Sequence, residues 1–370
     1  MKVLHVIVGL NTGGAELMLK RLIEGGANNV EHSVISLTDI GTVGKLLQDR
    51  GVKVFTLGIS KRVWSLFPAI VKMINVVRAE KPDVMQTWMY HSDILGGLIA
   101  RVCGVDKVFW NVRNTNLHGR GIFNYFLRRL CGVFSYVLPD AVVYVSRSAL
   151  KSHINAGYSK RKAVLIFNGF DCSVYAPSDS VRSEIRREIE IKDDEFLICS
   201  VGRCVEAKDH GTFIRAISYA SQFNPHIKGL MIGRGLTEAN AEIFSGIETS
   251  NIDKFVLLGE RDDVPRLLCA SDVFCLHSIT EGFPNVLGEA MLTALPCVTT
   301  DCGDAADIVG DSKYVRPCGD YKGLGDAVLA LSQKSSSELN DIGERNRERI
   351  QKEYSIGEAI KKYESLWFSF

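Results

Sequence analysis

Along most of this chain, short runs rich in Val, Ile, Leu and Phe alternate with longer segments whose apolar residues recur at helical spacing. No other feature narrows the fold as far, because this is the pattern of a parallel sheet covered by helices. The first series reads "KVLHVIV", "HSVISL", "VKVFTL", "DVMQTW", "KVFWNV", "AVVYV" and "AVLIF", ending near Phe167. A second reads "FLICSVG", "GLMIG", "FVLLG", "DVFCLH" and "PCVTT", ending near Thr300. An α/β chain is therefore expected.

Between the series lies "NGFDCSVYAPSDSVRSEIRREIEIKDDE", with a Pro, several Ser, alternating charges and no good strand. A linker there divides the chain into two Rossmann-like halves, which suits its 370 residues. After the second series, Ile356, Ile360, Tyr363 and Trp367 form a helical seam with no strand behind it, so the tail is expected to pack as a closing helix. A formal charge of +1 gives no field that would make nucleic acid the main partner. The ten cysteines contain no C-x-x-C, and Cys199, Cys275 and Cys297 sit in apolar runs. Buried thiols in a reduced cytoplasmic protein fit that usage, with no metal site expected. The opening "MKVLHVIVGLN" has an apolar run of only about seven residues, short for a membrane span or signal peptide.

Open parallel sheets bind ligands at the carboxyl ends of their strands, and two such sheets face to face would make a cleft. After the first strand, "GLNTGGAELMLKRLI" places Gly13 and Gly14 where backbone can approach a ligand; a tight strand-to-helix turn explains them equally. "SVGRCVEAKDHGTFIRAI" places Gly202, Arg203 and Lys208 at another strand end, where a diphosphate would meet two cations. Simple solvation of exposed bases is the alternative. "MIGRG" and "LLGERDDV" repeat the strand-then-glycine pattern and can frame a nucleotide base with backbone alone.

In "TEGFPNVLGEAM", Gly282 and Pro284 disfavour helix through Glu281. From Asn285 onward, Val286, Leu287, Ala290, Met291 and Ala294 share one helical face, with Glu289 well off it. A helix carboxylate can accept two hydrogen bonds from a vicinal diol such as a ribose offers. A loop carboxylate beside helix-start N–H groups suits a second polyhydroxyl group next to a phosphate. A surface Glu289 and a Glu281 placed only for the helix dipole remain the alternative.

Together these residues resemble the retaining family 4 glycosyltransferases of GT-B fold. The matching stretches are "EGFPNVLGEA", "VGRCVEAKDH", "VLIFNGFD" with Asn168, Gly169 and Asp171, and the early "GGAE". The resemblance implies two Rossmann-like parallel-sheet domains facing each other across a cleft: residues 1–172 for the acceptor, 173–352 for the nucleotide-sugar donor, and 353–370 as a helix closing back on the first domain. It implies transfer of a sugar from a nucleotide diphosphate donor to an acceptor, with retention and no required metal or other cofactor; the expected donor is a UDP-linked hexose or N-acetylhexosamine and the expected acceptor a saccharide, lipid-linked, in bacterial surface polysaccharide or glycan assembly. Arg203 and Lys208 would hold the diphosphate and Glu289 the ribose. Glu281, with backbone at Phe283, Pro284 and Asn285, would hold the donor sugar. The Gly259 to Arg261 loop would lie against the base, and Gly13 with Gly14 would face the phosphates from the other domain.

One position departs from the pattern. Many family members carry a His after the strand matching "KVFWNV"; this chain has Arg113 there, in "WNVRNTN". Arg cannot serve as a base, so Arg113 suits a phosphate or an acidic or hydroxylated group. Asn11 and His91 are further acceptor-side candidates, although a loop histidine with no ligand also fits "TWMYHSD". "SKRVWSLFPAIVKMINVVRAEK" and "RGIFNYFLRRLCGVF" mix bases with aromatics, as suits an anionic membrane surface, and ordinary amphipathic core helices explain them as well. The rival readings are a nucleotide-sugar epimerase of the same fold, for which no acid and base set stands out, and a non-catalytic nucleotide-sugar binding protein.

Overall fold

A computed structural model describes the chain except for residues 28, 61–65, 115–120, 242, 244–246, 248 and 370. The chain divides into two units, one made of Met1–Gly169 with Ile356–Phe370 and the other of Phe170–Ser355. Among the described residues, no helix is long and apolar enough to cross a membrane.

The first unit runs β1 (Lys2–Ile7), α1 (Gly14–Gly25), β2 (Glu31–Ser36), α2 (Gly41–Asp49), β3 (Lys53–Thr56), α3 (Leu66–Glu80), β4 (Val84–Trp88), α4 (Tyr90–Val102), β5 (Lys107–Val112), α5 (Gly121–Phe134), β6 (Ala141–Tyr144), α6 (Arg147–Asn155) and β7 (Ala163–Leu165). The strands pair in parallel in the order β3-β2-β1-β4-β5-β6-β7. Alternate residues feed opposite cores: Val3, Ile7, Trp88, Phe109 and Val143 on one face, Leu4, Val6, Met85, Trp110 and Val142 on the other. Burial of both faces is why the strands read as continuous apolar runs.

The second unit carries α7 (Asp179–Glu188), β8 (Phe196–Val201), α8 (His210–Ser221), β9 (Ile227–Ile232), β10 (Phe255–Gly259), α9 (Val264–Cys269), β11 (Val273–Leu276), α10 (Asn285–Leu292), β12 (Cys297–Thr300), α11 (Ala305–Val309), β13 (Val315–Arg316), α12 (Tyr321–Ser332) and α13 (Ser336–Glu353). Its parallel order is β10-β9-β8-β11-β12-β13. β13 extends the second series past Thr300; two residues are too few to leave an apolar run in the sequence. The stretch read as a linker contains α7, capped by the Ser178 hydroxyl on the Val181 N–H. Ala294 lies past the end of α10 with φ of 57°, not on the helix face where periodicity put it.

The tail forms α14 (Ile356–Ser369), which returns to the first unit. It docks through polar residues in the middle of strands, a feature that hydrophobic pattern does not register. Trp367 Nε1 donates to Gln86 Oε1 at 3.1 Å, Asn111 Nδ2 donates to the Tyr363 hydroxyl at 2.8 Å, and Trp88 Nε1 donates to His5 Nδ1 at 3.3 Å beneath them. His5 stacks on His32 at 5.2 Å between ring centroids. Buried polar groups with partners fix a helix in one register, where apolar contact alone would let it slide.

Candidate active site

In both units the strand order reverses beside the first strand, between β1 and β4 and between β8 and β11. Such switch points are where open α/β sheets bind ligands. The residues singled out above follow these strands.

In the second unit, β8 leads into Gly202, Arg203 and Lys208. A side chain at Gly202 would come within 3.3 Å of the Lys208 stem, so the glycine lets that stem lie flat over the strand end. Lys208 Nζ reaches Glu281 Oε1 at 2.6 Å, and the Ser278 hydroxyl donates to the same oxygen at 2.7 Å. Both charged side chains are mostly buried, 21% and 15% exposed, so their attraction is less screened than at a surface. Glu281 Oε2 makes no hydrogen bond among the described residues. Arg203 is exposed and has no ion pair among them.

Two imidazoles fix the backbone under these cations. His277 Nδ1 lies 2.6 Å from the Lys208 carbonyl, which can only accept, so Nδ1 carries the proton and Nε2 accepts from the Ser200 hydroxyl at 2.5 Å. By the same logic His210 Nε2 donates to the Arg203 carbonyl at 3.0 Å. The rings lie 5.0 Å apart. Burial pushes His277 down to about 3 and also lowers His210, so both hold these bonds as neutral rings.

Glu281 precedes α10 in a loop set by close contacts. Gly303 has φ of +60°, and a Cβ there would stand 2.5 Å from the Glu281 carbonyl. Phe283 stacks on Phe170 with centroids 5.8 Å apart and packs on Tyr354 at 5.7 Å. A Cβ on Gly288 would run into the Phe170 ring, so the helix can approach only with glycine there. Pro284 is the N-cap residue and Asn285 opens α10; Leu287, Ala290 and Met291 are buried, and Glu289 is partly exposed one turn in. Gly259 closes β10 with φ of +67°. The Arg261 guanidinium forks onto Asp263 at 2.8 Å and Glu188 at 2.9 Å, so that side chain is already engaged within the unit.

At the strand ends of the first unit, Asn11 is exposed, Gly13 is the N-cap of α1, Gly14 is its first residue and His91 lies in the first turn of α4. Glu16 folds back over Gly13 into the space a Cβ would take. Burial raises its carboxyl, with Arg113 pulling the other way. Arg113 follows β5, its guanidinium 5.4 Å from the Trp88 ring centroid. Burial lowers its pKa, opposed by Tyr363 and Glu16.

The fold thus unites Lys208 with Glu281, residues 73 apart in sequence, and gathers Gly202 and Arg203 on the same loop. Arg113, Asn11, His91, Gly13 and Gly14 belong to the other unit. Sequence reasoning missed Ser278, His277, His210, Glu16 and Tyr363. The first two were visible as "HSITEGF" at the end of an apolar run, but nothing local marks a histidine as a backbone anchor.

A family model described as Glycosyltransferase Family 4 matches residues 12–174, and one described as Glycosyl transferases group 1 matches residues 195–334. The chain belongs to glycosyltransferase family 4. This glycosyltransferase is 25% identical over 366 residues to the N-acetyl-alpha-D-glucosaminyl L-malate synthase of Bacillus anthracis, covering 89% of this chain and 92% of that one. It is 23% identical over 305 residues to the UDP-Gal:alpha-D-GlcNAc-diphosphoundecaprenol alpha-1,3-galactosyltransferase of Escherichia coli, covering 81% and 78%. Among solved structures, Anabaena HepE in complex with UDP superposes with a TM-score of 0.87 at 20% identity, each chain covered in full. The glycosyltransferase therefore has the GT-B fold.

Proposed function

We propose that this glycosyltransferase moves a hexose or N-acetylhexosamine from a UDP-linked donor to a saccharide acceptor, lipid-linked, in the assembly of a bacterial surface polysaccharide or glycan, with retention and without a required metal. The observation that carries this reading is the Lys208–Glu281 pair beside Arg203 at the β8 and β11 strand ends. It is supported by the UDP complex of HepE and by the polyprenyl-diphosphate acceptor in the name of the E. coli relative.

Lys208 and Arg203 would stabilise the departing diphosphate, which gains negative charge as the sugar becomes oxocarbenium-like. Glu289 would accept from the two ribose hydroxyls. Glu281, its Oε1 held by Lys208 and Ser278, would offer Oε2 to a donor-sugar hydroxyl, with backbone at Phe283, Pro284 and Asn285 beside it. The base would lie along Gly259 to Arg261, and Gly13, Gly14 and Gly202 would admit close backbone approach to the substrates. Since no carboxylate in these motifs reads as a nucleophile, attack from the face the diphosphate leaves, with the diphosphate taking the acceptor proton, is the favoured route. Asn11, His91 and Arg113 would serve the acceptor.

Incubation with radiolabelled UDP-sugars and EDTA tests the reading: label should pass to an acceptor, whereas a changed donor epimer or no turnover would support one of the rivals. Arg203→Ala should lose most turnover and Glu289→Ala should raise the donor KM. Unchanged kinetics in both rejects the site. Membrane association is part of the proposal: α5 exposes Tyr125, Phe126 and Val133 beside Arg129. The other segment named for it includes residues 61–65, and the α5 segment begins at residue 120; these lie outside the described residues.

A further inference from the structure

Arg113 and Asn114 follow β5 with donors that the described residues leave unused. Arg113 Nη1 donates over 3.5 Å to Asn111 Oδ1 and over 3.4 Å to the Tyr363 hydroxyl, long bonds to neutral groups. The Trp88 face offers a cation–π contact but no hydrogen-bond acceptor at the guanidinium edge. Among the described residues Nη2 is covered and has no partner, and the same holds for Nδ2 of Asn114. Glu16 attracts Arg113 at longer range, yet among the described residues no carboxylate is in ion-pair contact with it.

Arg186 shows how this chain completes a buried arginine. Its Nη1 meets the Ala270 carbonyl at 3.0 Å and Asp272 Oδ2 at 3.4 Å, and its Nη2 meets the carbonyls of Lys192 at 2.6 Å and Glu195 at 2.5 Å. A guanidinium stays charged at any ordinary pH, so a covered one without a counter-ion carries a desolvation cost that its neighbours do not offset. Orphaned buried donors at a strand end, next to a switch point, point to a ligand that supplies the acceptors.

We infer that Arg113 and Asn114 form a subsite for an oxyanion carried by the acceptor, either a carboxylate or a phosphate. The Arg113 fork supplies the charge and the Asn114 amide a neutral second donor, the combination that planar or tetrahedral oxyanions accept. Arg113 and Asn114 are partly exposed as residues while Nη2 and Nδ2 themselves are covered, so the anion reaches these donors with a shift of the two side chains. This inference rests on the first unit being the acceptor unit, and it is independent of how the second unit holds the donor.

The test is a thermal shift series on the full chain saturated with UDP, so that small anions do not compete for Arg203 and Lys208. Inorganic phosphate and malonate, one for each oxyanion class, are titrated at constant ionic strength into wild type, Arg113→Gln, Arg113→Lys and Asn114→Ala. One of the two anions should raise the wild-type Tm by about 2–4 °C over the chloride control. That shift should vanish in Arg113→Gln, persist in part in Arg113→Lys and shrink in Asn114→Ala. A malonate response identifies a carboxylated acceptor, a phosphate response a phosphorylated one. Arg113→Gln without added anion should match or exceed the wild-type Tm, because it removes an uncompensated buried charge. No response to either anion in wild type overturns the inference, and so does collapse of the Arg113→Gln fold, which would make Arg113 a structural residue. If UDP alone fails to raise Tm, the donor reading fails, while the anion response is still compared between wild type and Arg113→Gln.

Discussion

The two sets of strand ends handle buried positive charge in opposite ways. In the second unit Lys208 already has its carboxylate, Glu281, and the backbone of both cations is tied down by His210 and His277. In the first unit Arg113 has, among the described residues, only long bonds to neutral partners and a covered nitrogen with none. A pre-paired site holds its geometry before the ligand arrives, which favours charge stabilisation in a transition state. An uncompensated cation instead gains most when an anion binds, which favours recognition.

The largest effect should come from breaking the pre-paired side. Lys208→Ala removes the proposed diphosphate contact and the partner of Glu281 together, and should lower kcat by about 100- to 1,000-fold in a radiolabelled-donor assay. Retained turnover would erase the contrast between the two units. Glu289→Ala should act on binding, raising the donor KM about 100-fold or more while Tm stays near wild type, since two charge-assisted bonds worth roughly 1.5–3 kcal/mol each would be lost.

Smaller effects sharpen the comparison through stability. Gly288→Ala should cost about 1–3 kcal/mol in urea unfolding, because the added methyl meets the Phe170 ring and pushes α10 and its glutamate away. A pH series separates the histidines. Burial pushes His277 down to about 3 and His32 to about 4 in the folded chain, while the unfolded chain titrates near 6.5. The unfolded state therefore binds more protons in between, so stability is full above pH 6.5 and falls as pH drops towards those values. Each histidine contributes about 1.4 kcal/mol per pH unit across that window. His277→Asn should flatten the slope of Tm against pH between 6.5 and 5, and an unchanged slope would mean that the ring takes up its proton at the same pH folded and unfolded. The weakest expectation is flotation of the chain with anionic vesicles at low salt; failure to float removes the membrane part of the proposal.

Much of the fold was legible because strands buried on both faces leave apolar runs that survive in the sequence, as in "KVLHVIV" and "FLICSVG". β13 was not, since two residues carry no period. In the site, Glu281 and Glu289 could be assigned to loop and helix because Gly282 and Pro284 are local signals. The residues that serve the site through tertiary contact left no such mark: Ser278 and His277 are ordinary near a strand end, and Tyr363 reads only as part of a helical seam.

By itself, then, the sequence determined two α/β halves, a closing helix and which residues follow the strands, since these depend on periodicity and backbone preference, which act over a few residues. Only the tertiary structure decided that, among the described residues, Lys208 has an ion-pair partner and Arg113 does not. Charge compensation depends on which groups folding brings within about 4 Å, and residues 73 apart meet there while neighbours in sequence do not.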